Sequence, residues 1–293
     1  MERPYIVFNP AAGSAKRSEK AVARLKQLNP KSLRLTRRRG DAERWARRIR
    51  TSKPKLIIVA GGDGTLNEVV NGLGIFARNV HIGVVPLGTG NDFARTLGLP
   101  ATTDENIEVI RQRKTTLIDL IRVKSKRSRY FVNVSTGGFS GIVDAKMTPK
   151  IKQTWGPLAY IRGAAAALPD LHAYQTQIVL DDRERLSEEV LNVVIANGRY
   201  VAGGLPIAPE ADPSDGKLEV ILVPKTGPAE MALLAAEIAL GKHLSNNATI
   251  FRRARKIAVR SRPGMFFNVD GELIGNAPAV FEVMPRALNF ITK

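Results

Sequence analysis

The chain has 293 residues, enough for two domains of ordinary size, and its 44% hydrophobic and 25% charged composition is that of a chain that folds throughout. It contains no cysteine, which excludes disulfides and thiolate metal sites and suits a reducing compartment. A net charge of +18 favours an anionic partner, whether nucleotide, nucleic acid or anionic membrane face, without choosing among them.

Along the chain, the opening MERPYIVFNP holds a short run of strand character and none of the three regions of a signal peptide, so a cytoplasmic location is expected. Four strands are predicted in the first 120 or so residues: Tyr5 to Asn9, Ser32 to Thr36, Lys55 to Ala60 and His81 to Pro86. Helices near Ser18 to Leu28, Asp41 to Arg50 and Thr65 to Leu73 alternate with them, the pattern of βαβ units and a parallel sheet. KLIIVA at Lys55 to Ala60 lacks polar alternation, as a strand covered on both faces should. After Arg122 the texture changes to longer strand-like runs, among them YFVNVS, QTQIVLDD, EEVLNVVIANG, KLEVILVP, TIFRRARKIAV, FFNVDGE and AVFEVMP. Helix there is confined mainly to GPLAYIRGAAAALP and PAEMALLAAEIALG; the apolar run Met231 to Leu240 is broken by Glu237 and is too short to span a bilayer. The fold class expected is α/β: an amino-terminal Rossmann-like parallel-sheet domain over 1–122 and a mostly antiparallel β-sandwich domain over 123–285. Basic residues crowd Lys16 to Lys55, Arg111 to Arg129 and Phe251 to Arg260, stretches that read equally as docking patches or as solvated faces.

The chemistry concentrates where strands run into glycine. AGGDGTLNEVVNG follows the strand KLIIVA, so Gly61, Gly62 and Gly64 stand at the carboxyl edge of the sheet, where ligands bind. They can take positive φ and let the backbone approach a phosphate, with the free N–H groups of the following helix pointing at it. Asp63 contradicts a bare phosphate, because two anions repel at close range. A divalent cation resolves the conflict, since Mg²⁺ takes oxygen ligands from one or two carboxylates and from phosphates. The competing reading makes GDG a tight turn with an aspartate cap. A second loop, PLGTGNDFAR, repeats the arrangement with Gly88, Thr89 and Gly90 ahead of Asn91 and Asp92, and NPAAG at Asn9 to Gly13 supplies a third turn on the same edge. Asp92 taken alone reads more readily as a helix cap than as a metal ligand. No P-loop motif, zinc-protease motif or nucleophile elbow occurs, and the GxGxxA at Gly72 to Ala77 trails a helix instead of opening one after a strand.

These loops, followed by NVSTGGFSG (Asn133 to Gly141), NGRYVAGGLPIAPEADPSDGKLEV (Asn197 to Val220) and NVDGE (Asn268 to Glu272), resemble the diacylglycerol-kinase catalytic family. Within it the likeness is to the soluble bacterial lipid kinases of the diacylglycerol kinase-like and phosphatidylglycerol kinase-like branch, and it covers nearly the whole chain. The resemblance implies an ATP-dependent kinase acting on a lipid hydroxyl, with its active site between a nucleotide domain and a β-sandwich and with 286–293 completing the first domain. Nucleotide contacts implied by motif are Asn9, Pro10, Ala11, Ala12, Gly13, Thr36, Gly62, Asp63, Gly64, Thr65, Leu66, Asn67, Glu68 and Thr89. Asp63 and Asp92 are implied near the catalytic Mg²⁺. PSDGKLEV implies a second, structural Mg²⁺ site on the Asp215 carboxylate with backbone carbonyls of Asp212 and Lys217; Asp215 also reads as half of an Asp-Gly hairpin turn. Glu272 matches the family's general base and, without the resemblance, reads as a solvent-facing residue after a DG turn.

The expected partners are a membrane lipid and an anionic membrane face, met peripherally at the inner leaflet, and no nucleic acid. The basic stretches hold few aromatics for base stacking, chiefly Trp45, Tyr130 and Phe251. An NAD-kinase-like enzyme would explain GGDGT but not SDGKLEV or NVDGE, and a non-catalytic relic would have no use for Asp63, Asp215 and Glu272 together.

Overall fold

The computed structural model describes residues 2–13, 15–139, 172–245, 248–276 and 278–293. The backbone divides into two compact units, Met1–Leu120 with Pro285–Lys293, and Ile121–Met284.

Unit 1 is a parallel sheet covered by helices. Its elements are β1 (Tyr5–Phe8), α1 (Ala15–Lys26), β2 (Ser32–Leu35), α2 (Asp41–Ile49), β3 (Leu56–Gly61), α3 (Asp63–Leu73), β4 (His81–Pro86), α4 (Asp92–Thr96) and α5 (Thr103–Gln112). The order is β2-β1-β3-β4, every pairing parallel, and the chain's last long strand, Ala279–Ile291, adds its end beside β4 through Asn289 and Phe290. All six residues of β3 are buried, which is why its sequence shows no alternation. On one face Ile6, Phe8, Ile58 and Val85 pack with Leu25 of α1 and Ile110 of α5. α2 and α3 approach so closely that a Cβ on Gly72 would lie 2.4 Å from the Glu43 carbonyl oxygen. Gly72 is therefore a packing glycine, which accounts for the misplaced GxGxxA.

Unit 2 is antiparallel. Its strands are β5 (Thr115–Lys124, shared with unit 1), β6 (Ser128–Phe131), β7 (Val134–Gly138), β8 (Tyr174–Leu180), β9 (Glu184–Ala196), β10 (Leu218–Pro224), β11 (Ile250–Ala254), β12 (Lys256–Arg262), β13 (Phe267–Val269), β14 (Glu272–Leu273) and the first part of β15 (Ala279–Ile291). β9 is the axis, pairing with β8 over its first half and with β7 and β10 over its second. The core is aromatic at its centre, with Phe281 edge-on to both Phe131 and Phe267 at 6.2 and 5.3 Å. Helix α6 (Pro228–Leu240) starts with proline after Gly227, takes a capping contact from Glu230 and ends on left-handed Gly241. The helix predicted in GPLAYIRGAAAALP lies outside the described residues. Among the described residues no helix is long and apolar enough to cross a membrane.

Three differences from the sequence reading have plain causes. β5 runs through the basic stretch at Arg111 to Arg129, because Ile118, Leu120, Ile121 and Val123 supply a buried apolar set that the flanking charges mask. TIFRRARKIAV is two strands, β11 and β12, broken at Arg255. Helix α5, capped by the Thr102 hydroxyl accepting from the Glu105 N–H, was not among the predicted helices.

Candidate active site

In unit 1 the three glycine turns come together at the carboxyl ends of β1, β3 and β4. The Asn9 side chain donates from Nδ2 to Thr65 Oγ1 at 3.1 Å and accepts the Ala11 N–H at 3.0 Å, so it shapes its own turn and ties it to the first turn of α3. The turns after β3 and β4 touch backbone to backbone: a Cβ on Gly88 would lie 2.7 Å from the Gly62 Cα. None of Gly61, Gly62, Gly64, Gly88 or Gly90 uses the positive φ open to glycine. Close approach is what demands glycine here, as at Gly61, where a Cβ would sit 2.6 Å from Thr65 Oγ1. The left-handed residues are Gly13 and Asn91 instead, at the margins of the turns. Gly64 is exposed, and a Cβ there would meet nothing within 4 Å.

Asp63 opens α3, and its carboxylate crosses to the neighbouring loop. Oδ2 accepts the Asp92 N–H and Oδ1 the Phe93 N–H, both at 3.1 Å. The aspartate is thus a cap, of α4 rather than of its own helix. Asp92 is 7% exposed, and a Cβ on Gly90 would lie 3.2 Å from Asp63 Oδ2 and 3.3 Å from Asp92 Oδ2. Two carboxylates therefore face one glycine. An all-oxygen donor set of this kind suits Mg²⁺, and each Asp63 oxygen keeps lone-pair capacity beyond its N–H bond. These residues fit the ion that a nucleotide triphosphate carries.

The other residues of the implied nucleotide set divide by exposure. Pro10, Ala11, Gly13 and Thr89 are exposed, and Thr36 is half-buried, its N–H bonded to the Phe8 carbonyl in a pocket with Trp45, Arg34 and Arg48. Ala12, Leu66 and Asn67 are buried and support the turns from below. Glu68 accepts the Gly40 N–H at 2.8 Å and the Ala42 N–H at 3.1 Å, which fixes the entry to α2.

In unit 2, Glu272 begins β14 after the turn Asp270-Gly271. Both turn residues have positive φ, 45° and 86°, as a type I′ hairpin requires, so the DG pair is structural. Asp270 does more than turn the chain: its carboxylate accepts the N–H groups of Val132, Asn133 and Val134, which pins the hairpin to the β6–β7 connection. Arg129 of β6 donates from Nε to Glu272 Oε2 at 3.0 Å. Neither Asp270 nor Arg129 was singled out from sequence, although each stands within or beside a stretch that was.

The Asp215 turn differs from expectation. Asp215 Oδ1 accepts the Lys217 N–H at 2.8 Å and Oδ2 pairs with Arg253, while the Asp212 carbonyl accepts the Asp215 N–H at 3.3 Å and its carboxylate binds Ser214. Arg253 already supplies a counter-charge to Asp215 Oδ2, with which a second Mg²⁺ at this turn would have to compete. Beside the turn, Glu219 of β10 is 2% exposed, and among the described residues neither carboxylate oxygen has a hydrogen-bond partner. Burial, with Glu210 and Asp215 adding, pushes its carboxyl up to about 7, against the opposing pull of Arg253 and Arg199.

Residues 3–123 match the diacylglycerol kinase catalytic domain, and residues 133–292 match the YegS C-terminal NAD kinase beta sandwich-like domain. A diacylglycerol kinase of Staphylococcus epidermidis (strain ATCC 35984) is 34% identical over 99% of this chain and 92% of its own length. The chain belongs to the diacylglycerol kinase catalytic family. Another relative, a diacylglycerol kinase of Staphylococcus carnosus (strain TM300), is 33% identical over 96% of this chain and 92% of its own. A solved diacylglycerol kinase from Bacillus anthracis str. Sterne shares the fold at TM-score 0.75 and 23% identity, covering 100% of this chain and 97% of that one. An NAD kinase from Archaeoglobus fulgidus, solved with ATP, shares it more distantly, at TM-score 0.54 and 14% identity over 99% and 93%. Membership in the family makes the chain a lipid kinase, an enzyme class that draws on ATP.

Proposed function

We propose that the chain transfers the γ-phosphate of ATP to the hydroxyl of a membrane lipid, with diacylglycerol the first candidate and phosphatidylglycerol the next. The observation that carries this reading is the near-full-length likeness to curated diacylglycerol kinases, in a chain that has both the Asp63–Asp92 carboxylate pair and Glu272 on a braced hairpin.

The lipid oxygen bonds to the γ-phosphorus, the bond from that phosphorus to the β–γ bridging oxygen breaks, and ADP leaves with the electron pair. Glu272 accepts the hydroxyl proton, a contribution of about 10² to 10⁴-fold. The turns at Asn9 to Gly13 and Gly62 to Thr65, with Thr89, hold the triphosphate through backbone N–H groups. Asp63 and Asp92 are the residues that would hold the nucleotide's Mg²⁺, which when bound would supply positive charge beside the phosphate oxygens. Basic side chains dock the enzyme peripherally on an anionic leaflet, each contributing about 1 kcal/mol near the surface.

The test is transfer of labelled γ-phosphate from ATP into a total lipid extract, with NAD as the competing acceptor and Glu272→Gln as control. Label in a lipid that disappears with the variant is the expected result. Label in NAD alone would overturn the lipid assignment, and undiminished turnover by Glu272→Gln would overturn the base.

A further inference from the structure

Glu272 has three side-chain torsions and sits at the start of a two-residue strand, so nothing in its own backbone fixes where its carboxylate points. Arg129 does. Its Nε lies 3.0 Å and its Nη2 2.5 Å from the same oxygen, Oε2, and among the described residues no hydrogen bond reaches Oε1. The pair is mostly sheltered, at 18% and 28% side-chain exposure, so water competes with it less than with the rest of this surface. The two residues share one mounting. Arg129 stands on β6 opposite Val123 of β5, and the three residues after Phe131 give their N–H groups to Asp270, which sits two positions before Glu272. The carboxylate and the guanidinium are thus held to each other twice, once directly and once through Asp270.

We propose that Arg129 is the positioning residue for the base. It occupies Oε2 with a two-nitrogen, charge-assisted contact and leaves Oε1 as the single oxygen presented for the proton. The proposal rests on the reading of Glu272 as general base. A surface ion pair of equal geometry would only add stability, and the two roles separate kinetically. Positioning errors of about 1 Å cost up to about 10²-fold in turnover, without weakening binding of a remote group.

The experiment measures kcat, KM for ATP and thermal unfolding for Arg129→Met, Arg129→Lys, Glu272→Gln and the Arg129→Met/Glu272→Gln double variant, with diacylglycerol in anionic vesicles. Arg129→Met should lose about 10 to 100-fold in kcat with KM for ATP within about twofold. Arg129→Lys should fall between it and the parent, because an ammonium keeps the charge but not the fork. The double variant should be no slower than Glu272→Gln alone, since the two act as one unit. Parental kcat in Arg129→Met, or a double variant slower by the full product of the single losses, overturns the proposal while the base reading stands. Parental kcat in Glu272→Gln overturns both. If Arg129→Met fails to fold, Arg129→Lys decides by the same criteria.

Discussion

Asp63 is occupied twice over. It caps α4 with both oxygens, and it shares Gly90 with the Asp92 carboxylate. The cap is seen, on α4 rather than on the helix that Asp63 opens, and Asp63→Asn tests it together with the proposed metal contact. An asparagine offers one acceptor and one donor, so either the Asp92 or the Phe93 N–H would face a second donor. The expected result is loss of about 1 kcal/mol of stability from the cap and a much larger loss of turnover with Mg-ATP. A melting curve and steady-state kinetics on the same protein check it, and a variant with parental kinetics would remove Asp63 from the metal's surroundings. Glu219 carries a different prediction. Its ordinary carboxylate value is 4.5 and its folded value is about 7. Between those pH values the unfolded chain releases a proton that the native protein keeps. Its contribution to stability is thus complete below pH 4.5 and lost as pH rises through about 7. Glu219→Gln, which cannot ionise, should match the parent near pH 4.5 and exceed it above pH 7 by on the order of 1–3 kcal/mol. Melting curves at both ends of that range decide, and a difference that does not change with pH would refute the assignment.

At the scale of elements, the turns were legible in position but not in conformation. The strands at Tyr5 to Asn9, Lys55 to Ala60 and His81 to Pro86 coincide with β1, β3 and β4 to within a residue, because buried parallel strands write continuous apolar runs. The conformation of the glycines was not legible, since composition cannot distinguish a glycine needed for positive φ from one needed for close approach. Gly88→Ala addresses that distinction. Its Cβ would press on the Gly62 backbone, so a cost of about 1–3 kcal/mol and a raised KM for ATP are expected. An unchanged KM would mean that the contact between the two turns does not shape the nucleotide site. The Asp215 turn shows the other limit of sequence. PSDGKLEV looks like a metal turn, yet Arg253, on the antiparallel neighbour β11, reaches it across a register that no local motif reveals. Removing divalent cations with a chelator should leave the nucleotide-free melting temperature unchanged. A fall in that temperature, restored by Mg²⁺, would return the ion to Asp215.

For the whole molecule, charge is the property that sequence states most openly and explains least. The excess of 45 basic over 27 acidic residues gives a field that any anionic surface would feel. Some of the basic side chains already have internal duties: Arg129 holds Glu272, Arg253 holds Asp215, and Arg122 donates to Glu282 at 2.6 Å, a hydrogen bond that raises its pKa. Arg122 and Arg129 both belong to the stretch that the sequence offered as a docking patch, so a run of basic letters overstates the charge free to meet a membrane. Docking by the remaining charge should follow screening physics: the Debye length falls from about 10 Å at 0.1 M salt to about 3 Å at 1 M. Cosedimentation with vesicles should therefore rise with the fraction of anionic lipid and fall steeply as salt is raised over that range, while phosphoryl transfer to a short-chain, water-soluble lipid stays nearly constant. Equal binding to zwitterionic vesicles, or binding indifferent to salt, would show that apolar insertion rather than charge brings the kinase to its substrate.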